Sequence, residues 1–421
     1  MNSKPVVIIG AGLAGLCCAR HLKNHGCNFV LLDAQNEVGG RVRTDIVDGF
    51  RLDHGFQVFQ TAYPEAQQQL NYDALRLRSF DPGALIRTGG KQLLMSDPWR
   101  RPQDVFAVMM NGVGTFSDRL KLARLRWRVT RGSLEEQWAQ PDSTTEHYLR
   151  ETTGLSADMV DRFFRPWFTG VFLENRLTTS SRFFRFIFRM FALGDAALPE
   201  NGMGAIPKQL AESLPAAQVR LNTRVDSLQG LRVQLQNGET IDSQAVVIAV
   251  DGPEASRLTQ GEIRSPEFHS TTCFYFAASR PPFNEKLLML NGDQTGPINN
   301  LCVPSNVVPG YAPDGRALIS VSVVGSKQDS LDLEGGVRVQ LRDWFGDQTD
   351  QWSLLRSYLI RNALPDQAAH FRDTPASSQI SAGVFQCGDY CETASIHGAM
   401  VSGRKAAEAV LSDRTLERSG T

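Results

Sequence analysis

The 421-residue chain carries 44 Lys+Arg against 45 Asp+Glu, a formal net charge of −1, with 42% hydrophobic and 21% charged residues. That balance excludes a global basic footprint for nucleic acid, and the composition excludes disordered and collagen-like chains. No run of roughly 18 apolar residues offers a bilayer span, and Met-Asn-Ser-Lys-Pro leads straight into a strand with no leader-type apolar stretch, so a soluble, cytoplasmic protein of two or three lobes is expected.

In chain order, Val6–Ile9 is a short β-branched run ending at Gly10, as a fully buried parallel strand does. Leu13–Asn24 shows helical spacing, and residues 28–32 form a second apolar run closed by Asp33, which predicts a βαβ unit. A helical region is expected over 64–191, strands over 219–250 with a turn at Asn237-Gly238, and further strands over 271–324. The chain returns to strand and then helix at 384–387 and 396–411. Seven cysteines (17, 18, 27, 273, 302, 387, 391) are odd in number and scattered, which fits reduced thiols; Cys387 and Cys391 lack a nearby second Cys/His pair, so no metal is expected.

Two stretches of the middle admit more than one reading. Residues 99–132 hold eight Lys/Arg against Asp104 and Asp118, either a solvated face balanced elsewhere or a patch for peripheral contact with an anionic membrane. Nine of the 23 Phe fall between 163 and 191, joined by Trp167. Phe184, Ile187, Phe188 and Phe191 make one helical stripe and Arg182, Arg185 and Arg189 another. The aromatic stripe suits core packing, and it equally suits the wall of an apolar substrate pocket, with Phe164, Trp167, Phe168 and Phe172 as candidates.

The sharpest local signal is Gly10-Ala11-Gly12-Leu13-Ala14-Gly15, placed between a strand and a helix. Gly10 permits the tight turn, Gly12 admits a pyrophosphate to the backbone, and Gly15 lets helix and strand approach. Free amides at the helix start favour phosphate, and Asp33, 18 residues past Gly15, is placed for the ribose hydroxyls. Gly39-Gly40-Arg41 follows; paired glycines let the chain fold back, and Arg41 offers a bidentate cation.

From Gly39-Gly40-Arg41-Val42-Arg43-Thr44 onward the sequence resembles the flavin-containing amine oxidase and phytoene desaturase superfamily. Gly388-Asp389 and the 394–403 segment (Ala-Ser-Ile-His-Gly-Ala-Met-Val-Ser-Gly) are similar to its C-terminal FAD motif. Two weaker matches lie between, at Gly202-Met203-Gly204 and at Leu221-Asn222-Thr223-Arg224-Val225. The resemblance implies non-covalent FAD, with Asp389 near the ribityl chain, Val225 meeting the adenine, and the amides at Ser395 and Ile396 facing the pyrimidine. A helix start there suits the negative charge a reduced flavin gathers. The implied fold is α/β: a discontinuous Rossmann-type FAD-binding domain (1–62, 196–255, 371–421), a helical insertion (63–195) and a strand-rich α+β substrate domain (256–370).

Departures from the family narrow the substrate. Many amine oxidases carry an aromatic cage residue where Ser395 stands, and a lysine near the flavin that this sequence does not place. His54 and His397 are the titratable residues nearest the expected flavin contacts; each fits a general base near working pH or a structural histidine, and the catalytic assignment stays open. The expectation is an FAD-dependent oxidoreductase that oxidises a C–N or C–C bond of an amine or an apolar, conjugated substrate, with oxygen or a quinone as acceptor. A protoporphyrinogen-oxidase-like enzyme and a flavin-stabilised binding protein are the alternatives; a nicotinamide-only dehydrogenase leaves Gly388-Asp389 and the last helix unexplained.

Overall fold

Chain segments far apart in sequence build each of the two large sheets. The computed structural model describes residues 4–104, 112–325, 332–370 and 376–413. A six-stranded sheet runs in the order Val219–Arg220, Phe29–Leu32, Val6–Ile9, Ala245–Ile248, Val384–Gln386, Gln379–Ser381, parallel throughout except at its last strand. Its central strands are the continuous apolar runs of the sequence, because both faces are covered and leave no solvent side to alternate toward. The helices Leu13–Asn24 and Ile396–Ser412 cover one face, and the strands Val225–Gln229 and Arg232–Leu235 with the helix Gly252–Leu258 cover the other. The helix Leu13–Asn24 follows the first strand, and the C-terminal helix Ile396–Ser412 packs directly on it.

A seven-stranded sheet has the order Ser353–Pro365, Phe268–Ala278, Ala317–Val324, Asn300–Cys302, Leu288–Asn291, Gly83–Thr88, Lys91–Ser96. One face carries Phe274, Phe276, Ile319, Val321 and Val323 and is closed by the helix Leu333–Phe345. The other, bearing Cys273, Tyr275 and Cys302, joins the main core toward the six-stranded sheet. The expected helical stretch 64–191 is therefore interrupted: Gly83–Thr88 and Lys91–Ser96 form a hairpin that completes this sheet by parallel pairing of Leu288 with Ala84. Its Gly89-Gly90 turn has positive φ at both residues, a conformation glycine adopts without strain. The remaining insertion is helical, chiefly Phe116–Thr130, Arg165–Phe172 and Ser181–Leu193.

Asp53 ties these parts together. It is 3% exposed and ends the strand Phe50–Asp53. Its carboxylate accepts from Thr44 Oγ1, from the Met203 amide at 2.9 Å and from Tyr311 Oη at 2.9 Å, while its carbonyl accepts from Tyr275 Oη at 3.0 Å. The Gly202-Met203-Gly204 turn thus docks on Asp53 and on Thr44, which also takes the Gly204 amide at 2.9 Å. Burial pushes the Asp53 carboxyl up to about 6 against those hydrogen bonds. Below about pH 4 the group is neutral folded and unfolded. As pH rises toward 6 the unfolded chain ionises first, so the folded state loses about 3 kcal/mol, from roughly two pH units at 1.36 kcal/mol each. Asp53→Asn should therefore gain melting temperature relative to the parent between about pH 4 and 7; thermal unfolding at both values checks it, and a constant offset contradicts the assignment.

Candidate functional site

One cavity of about 1310 Å³ runs from the start of the first helix into the helical insertion. Gly10, Gly12, Leu13, Ala14, Asp33, Gly39, Gly40, Arg41, Val225, Gly388, Asp389, Ser395 and Ile396 all line it. Gly15 lies behind that surface, where a Cβ would fall 1.9 Å from the Gly10 carbonyl oxygen, so only glycine lets helix and turn meet. A Cβ on Gly12 would meet nothing within 4 Å, which leaves the approach to the backbone open. No side chain caps the helix there, so its first amides stay available to an anion.

The individual side chains are held from several elements. Asp33 accepts the Ala11 amide at 2.6 Å and the Gln35 amide at 2.7 Å, which fixes the carboxylate at the strand end. Arg41 donates to Asp389 at 2.6 Å and to the Ala363 carbonyl at 2.9 Å, joining the N-terminal and C-terminal motifs. Ser395 caps the last helix by accepting the Gly398 amide at 3.0 Å. An open glycine backbone, uncapped helix amides, an acid at the end of the second strand and an arginine form a cradle that fits a dinucleotide.

The far part of the cavity is aromatic, and of the four expected rings Trp167 lines it while the three Phe do not. Phe164, Phe168 and Phe172 are fully buried in the core and do not line the cavity. Trp167, Gly170 and Val171 do, together with Phe163, Phe183, Ile187, Phe188 and Phe191. The helix Arg165–Phe172 is apolar on both sides: its i, i+4 row of Phe packs inward on Phe184, and the row holding Gly170 faces the space. Arg182, Arg185 and Arg189 donate to carbonyl and amide oxygens of the 129–141 segment.

The two histidines differ. His397 lies outside the cavity lining, stacked near Tyr63 and Phe186 at 5.6 and 5.3 Å between ring centres. Burial pushes it down to about 4, so it stays neutral at working pH and does not match a base poised there. His54 lines the cavity and contacts Asp45 Oδ1 through Nε2 at 3.0 Å. Asp45 Oδ2 also accepts from Tyr358 Oη at 2.8 Å and from Arg356 at 2.9 Å. Partial burial works to raise the Asp45 carboxyl, but bonds from His54 and Tyr358 and the charges of His54 and Arg356 outweigh it and hold it below the usual carboxylate range. Nε2 of His54 is thus engaged by Asp45, while Nδ1 has no hydrogen-bond partner among the described residues. Sequence reasoning missed Asp45; the signal was Asp48-Gly49, whose positive φ values turn a hairpin that returns residues 50–53 beside 44–47.

Near Trp99, Leu122 and Arg126 the cavity reaches the basic stretch. Arg100, Arg101 and Arg126 pair with Asp195, Asp81 and Asp97, Lys121 donates to the Gly154 carbonyl, and Arg131 lies 4.2 Å from the centre of the Trp127 ring. Residues 105–111 of that stretch lie outside the described residues. No described helix is long and apolar enough to cross a membrane.

Comparison with known proteins agrees with this geometry. A carotenoid 3,4-desaturase from Haloarcula japonica is 23% identical over 381 residues, 77% of this chain and 76% of that protein. Protoporphyrinogen oxidase 2 of Arabidopsis thaliana is 30% identical over 103 residues, 23% of this chain and 20% of that protein's length. Among solved structures, a putative protoporphyrinogen oxidase from Exiguobacterium sp. 255-15 superposes with a TM-score of 0.73 at 18% identity, covering 97% of this chain and 99% of that one. The model of the flavin-containing amine oxidoreductases matches residues 13–411. The chain is therefore a member of the flavin-containing amine oxidoreductase family, an FAD-dependent oxidoreductase.

Proposed function

We propose that this oxidoreductase dehydrogenates a C–C bond of an elongated, apolar or conjugated substrate. The observation that carries the reading is the aromatic cavity continuous with the FAD cradle. An amine site is disfavoured because Ser395 stands at the cage position and no lysine occurs among the described lining residues. The desaturase aligned over 381 residues supports a polyene; the protoporphyrinogen oxidase match supports a tetrapyrrole as the second reading.

Bound FAD supplies a two-electron acceptor. The chain's own residues do the rest. Trp167, Phe183 and Phe188 desolvate the hydrocarbon and exclude water, and each Å² of apolar surface they cover contributes about 25 cal/mol. Dehydrogenation removes a hydride from one carbon and a proton from its neighbour, and His54 Nδ1 accepts that proton while Asp45 stabilises the imidazolium. Tyr358 and Arg356 keep Asp45 in place. The acceptor that reoxidises the flavin is oxygen or a quinone.

The outer face of the helix Phe116–Thr130, whose Leu122 and Arg126 line the cavity, is the proposed surface for peripheral contact with an anionic membrane. Phe116, Leu120 and Trp127 lie on one face of Phe116–Thr130 and are 62%, 59% and 54% exposed, beside the 54% exposed Trp99. Arg124 and Arg128 flank that face, the pattern of an interfacial helix.

Three outcomes are expected. The protein should purify yellow, and Asp33→Ala and Asp389→Ala should each weaken FAD binding by about one to two orders of magnitude, the loss of one charge-assisted bond, measured by flavin release on dilution. Anaerobic mixing with polyene, porphyrinogen and amine panels should bleach the flavin with an apolar compound, and His54→Asn should slow that bleaching by about 100-fold at unchanged FAD content. Bleaching by small primary amines alone overturns the reading. Phosphatidylserine-containing vesicles should sediment the holoenzyme, with Phe116→Ser/Leu120→Ser/Trp127→Ser staying in the supernatant; equal sedimentation of both removes the membrane contact.

A further inference from the structure

The cavity face of the seven-stranded sheet is not uniformly apolar. In register across three strands, Cys273 stands opposite Ser322 and Ser322 opposite Asn300. Asn300 and Ser322 line the cavity and are 3% and 6% exposed. Neither side chain has a hydrogen-bond partner among the described residues, and neither is sealed off from the space. Nearby Thr271 differs, because its hydroxyl already donates to the Val323 carbonyl at 3.0 Å. Buried amides and hydroxyls are ordinarily bonded, so two adjacent open ones in an aromatic cavity call for a ligand atom.

The facing helix makes room for them. Gly170 lines the same cavity, and a Cβ there would fall 2.6 Å from Asn300 Nδ2 and 3.1 Å from Asn299 Nδ2. Asn299 is occupied, donating to the Pro166 carbonyl at 3.2 Å, whereas Asn300 is not. Any larger residue at 170 displaces the open amide.

We propose that Asn300 and Ser322 form a polar subsite that holds one carbonyl or hydroxyl oxygen of an otherwise hydrocarbon substrate. The amide and the hydroxyl each donate, so a ketone or alcohol oxygen is bound and a plain hydrocarbon is not distinguished by shape alone. The subsite sets the register of a long substrate along the cavity and hence which bond meets the flavin. A site built to bond an oxygen rejects the analogue that lacks it, because its own groups are then left unpaired. The proposal rests on the reading of the cavity as an apolar substrate site.

The test uses FAD-loaded holoenzyme and three probes of similar length: trans-stilbene, trans-4-hydroxystilbene and trans-chalcone, titrated while the flavin absorption band is followed. The two oxygenated probes should bind about tenfold more tightly than stilbene, which is ~1.4 kcal/mol. Asn300→Leu should bring the ratio within about twofold without loosening stilbene, and Ser322→Ala and Gly170→Ala should reduce it at full FAD content. If Asn300→Leu fails to hold FAD, the other two variants decide. Equal binding of all three probes, or a tenfold preference surviving in the variants, overturns the subsite and leaves the apolar cavity standing. A yellow holoenzyme whose spectrum no probe perturbs overturns both.

Discussion

The contact between Arg41 and Asp389 is the constraint on which the site depends. It joins residues 348 positions apart, at 2.6 Å, and the same guanidinium reaches Ala363 at the end of the long strand Ser353–Pro365. Asp389 is nearly buried, its side chain 7% exposed, and a carboxylate so placed is tolerable only when paired. The pair draws the glycine-rich N-terminal loop, the C-terminal motif and the seven-stranded sheet to a single point. The cradle is therefore a product of tertiary closure rather than of any local motif.

Close packing between the terminal helices serves the same closure. A Cβ on Gly403 would fall 2.1 Å from the Ala14 carbonyl oxygen, so Ile396–Ser412 lies against Leu13–Asn24 at backbone distance. That approach brings Ser395 and Ile396 to the same cavity as Gly12. Opposite them, the seven-stranded sheet supplies Thr271, Ser322 and Asn300, and the helical insertion supplies the rings. Each layer contributes one kind of chemistry: amides and charge from the first, oxygen and amide groups from the second, desolvation from the third.

How much of this was legible follows from the range of each signal. Val6–Ile9, the glycine loop and Asp33 are readable because a fully buried parallel strand is a continuous apolar run and its turn demands glycine. The hairpin Gly83–Ser96 hid inside a helical stretch because the strand that stabilises it, Leu288–Asn291, lies 204 residues on, from Ala84 to Leu288. Along Arg165–Phe172 hydropathy marks both sides alike, so it does not tell that Trp167 stays on the wall while Phe168, one helical step on, belongs to the core. The partner of His54 depends on a turn, and the openness of Asn300 depends on what faces it; neither is written in residue type.

Strand order carries a consequence for how the chain comes into being. Ala245–Ile248 is wholly apolar and needs Val384–Gln386 to cover its edge, while Val6–Ile9 waits for Ala245–Ile248. Pairings of such sequence separation form slowly, and during synthesis the central sheet stands incomplete with an unpaired apolar edge until residues 384–412 have emerged. Closure of the Arg41–Asp389 contact is thereby a late event, since Asp389 belongs to that last segment. A ribosome-stalled or truncated chain lacking it would present a bare strand edge to its neighbours, and its fate is aggregation or proteolysis rather than a smaller working enzyme.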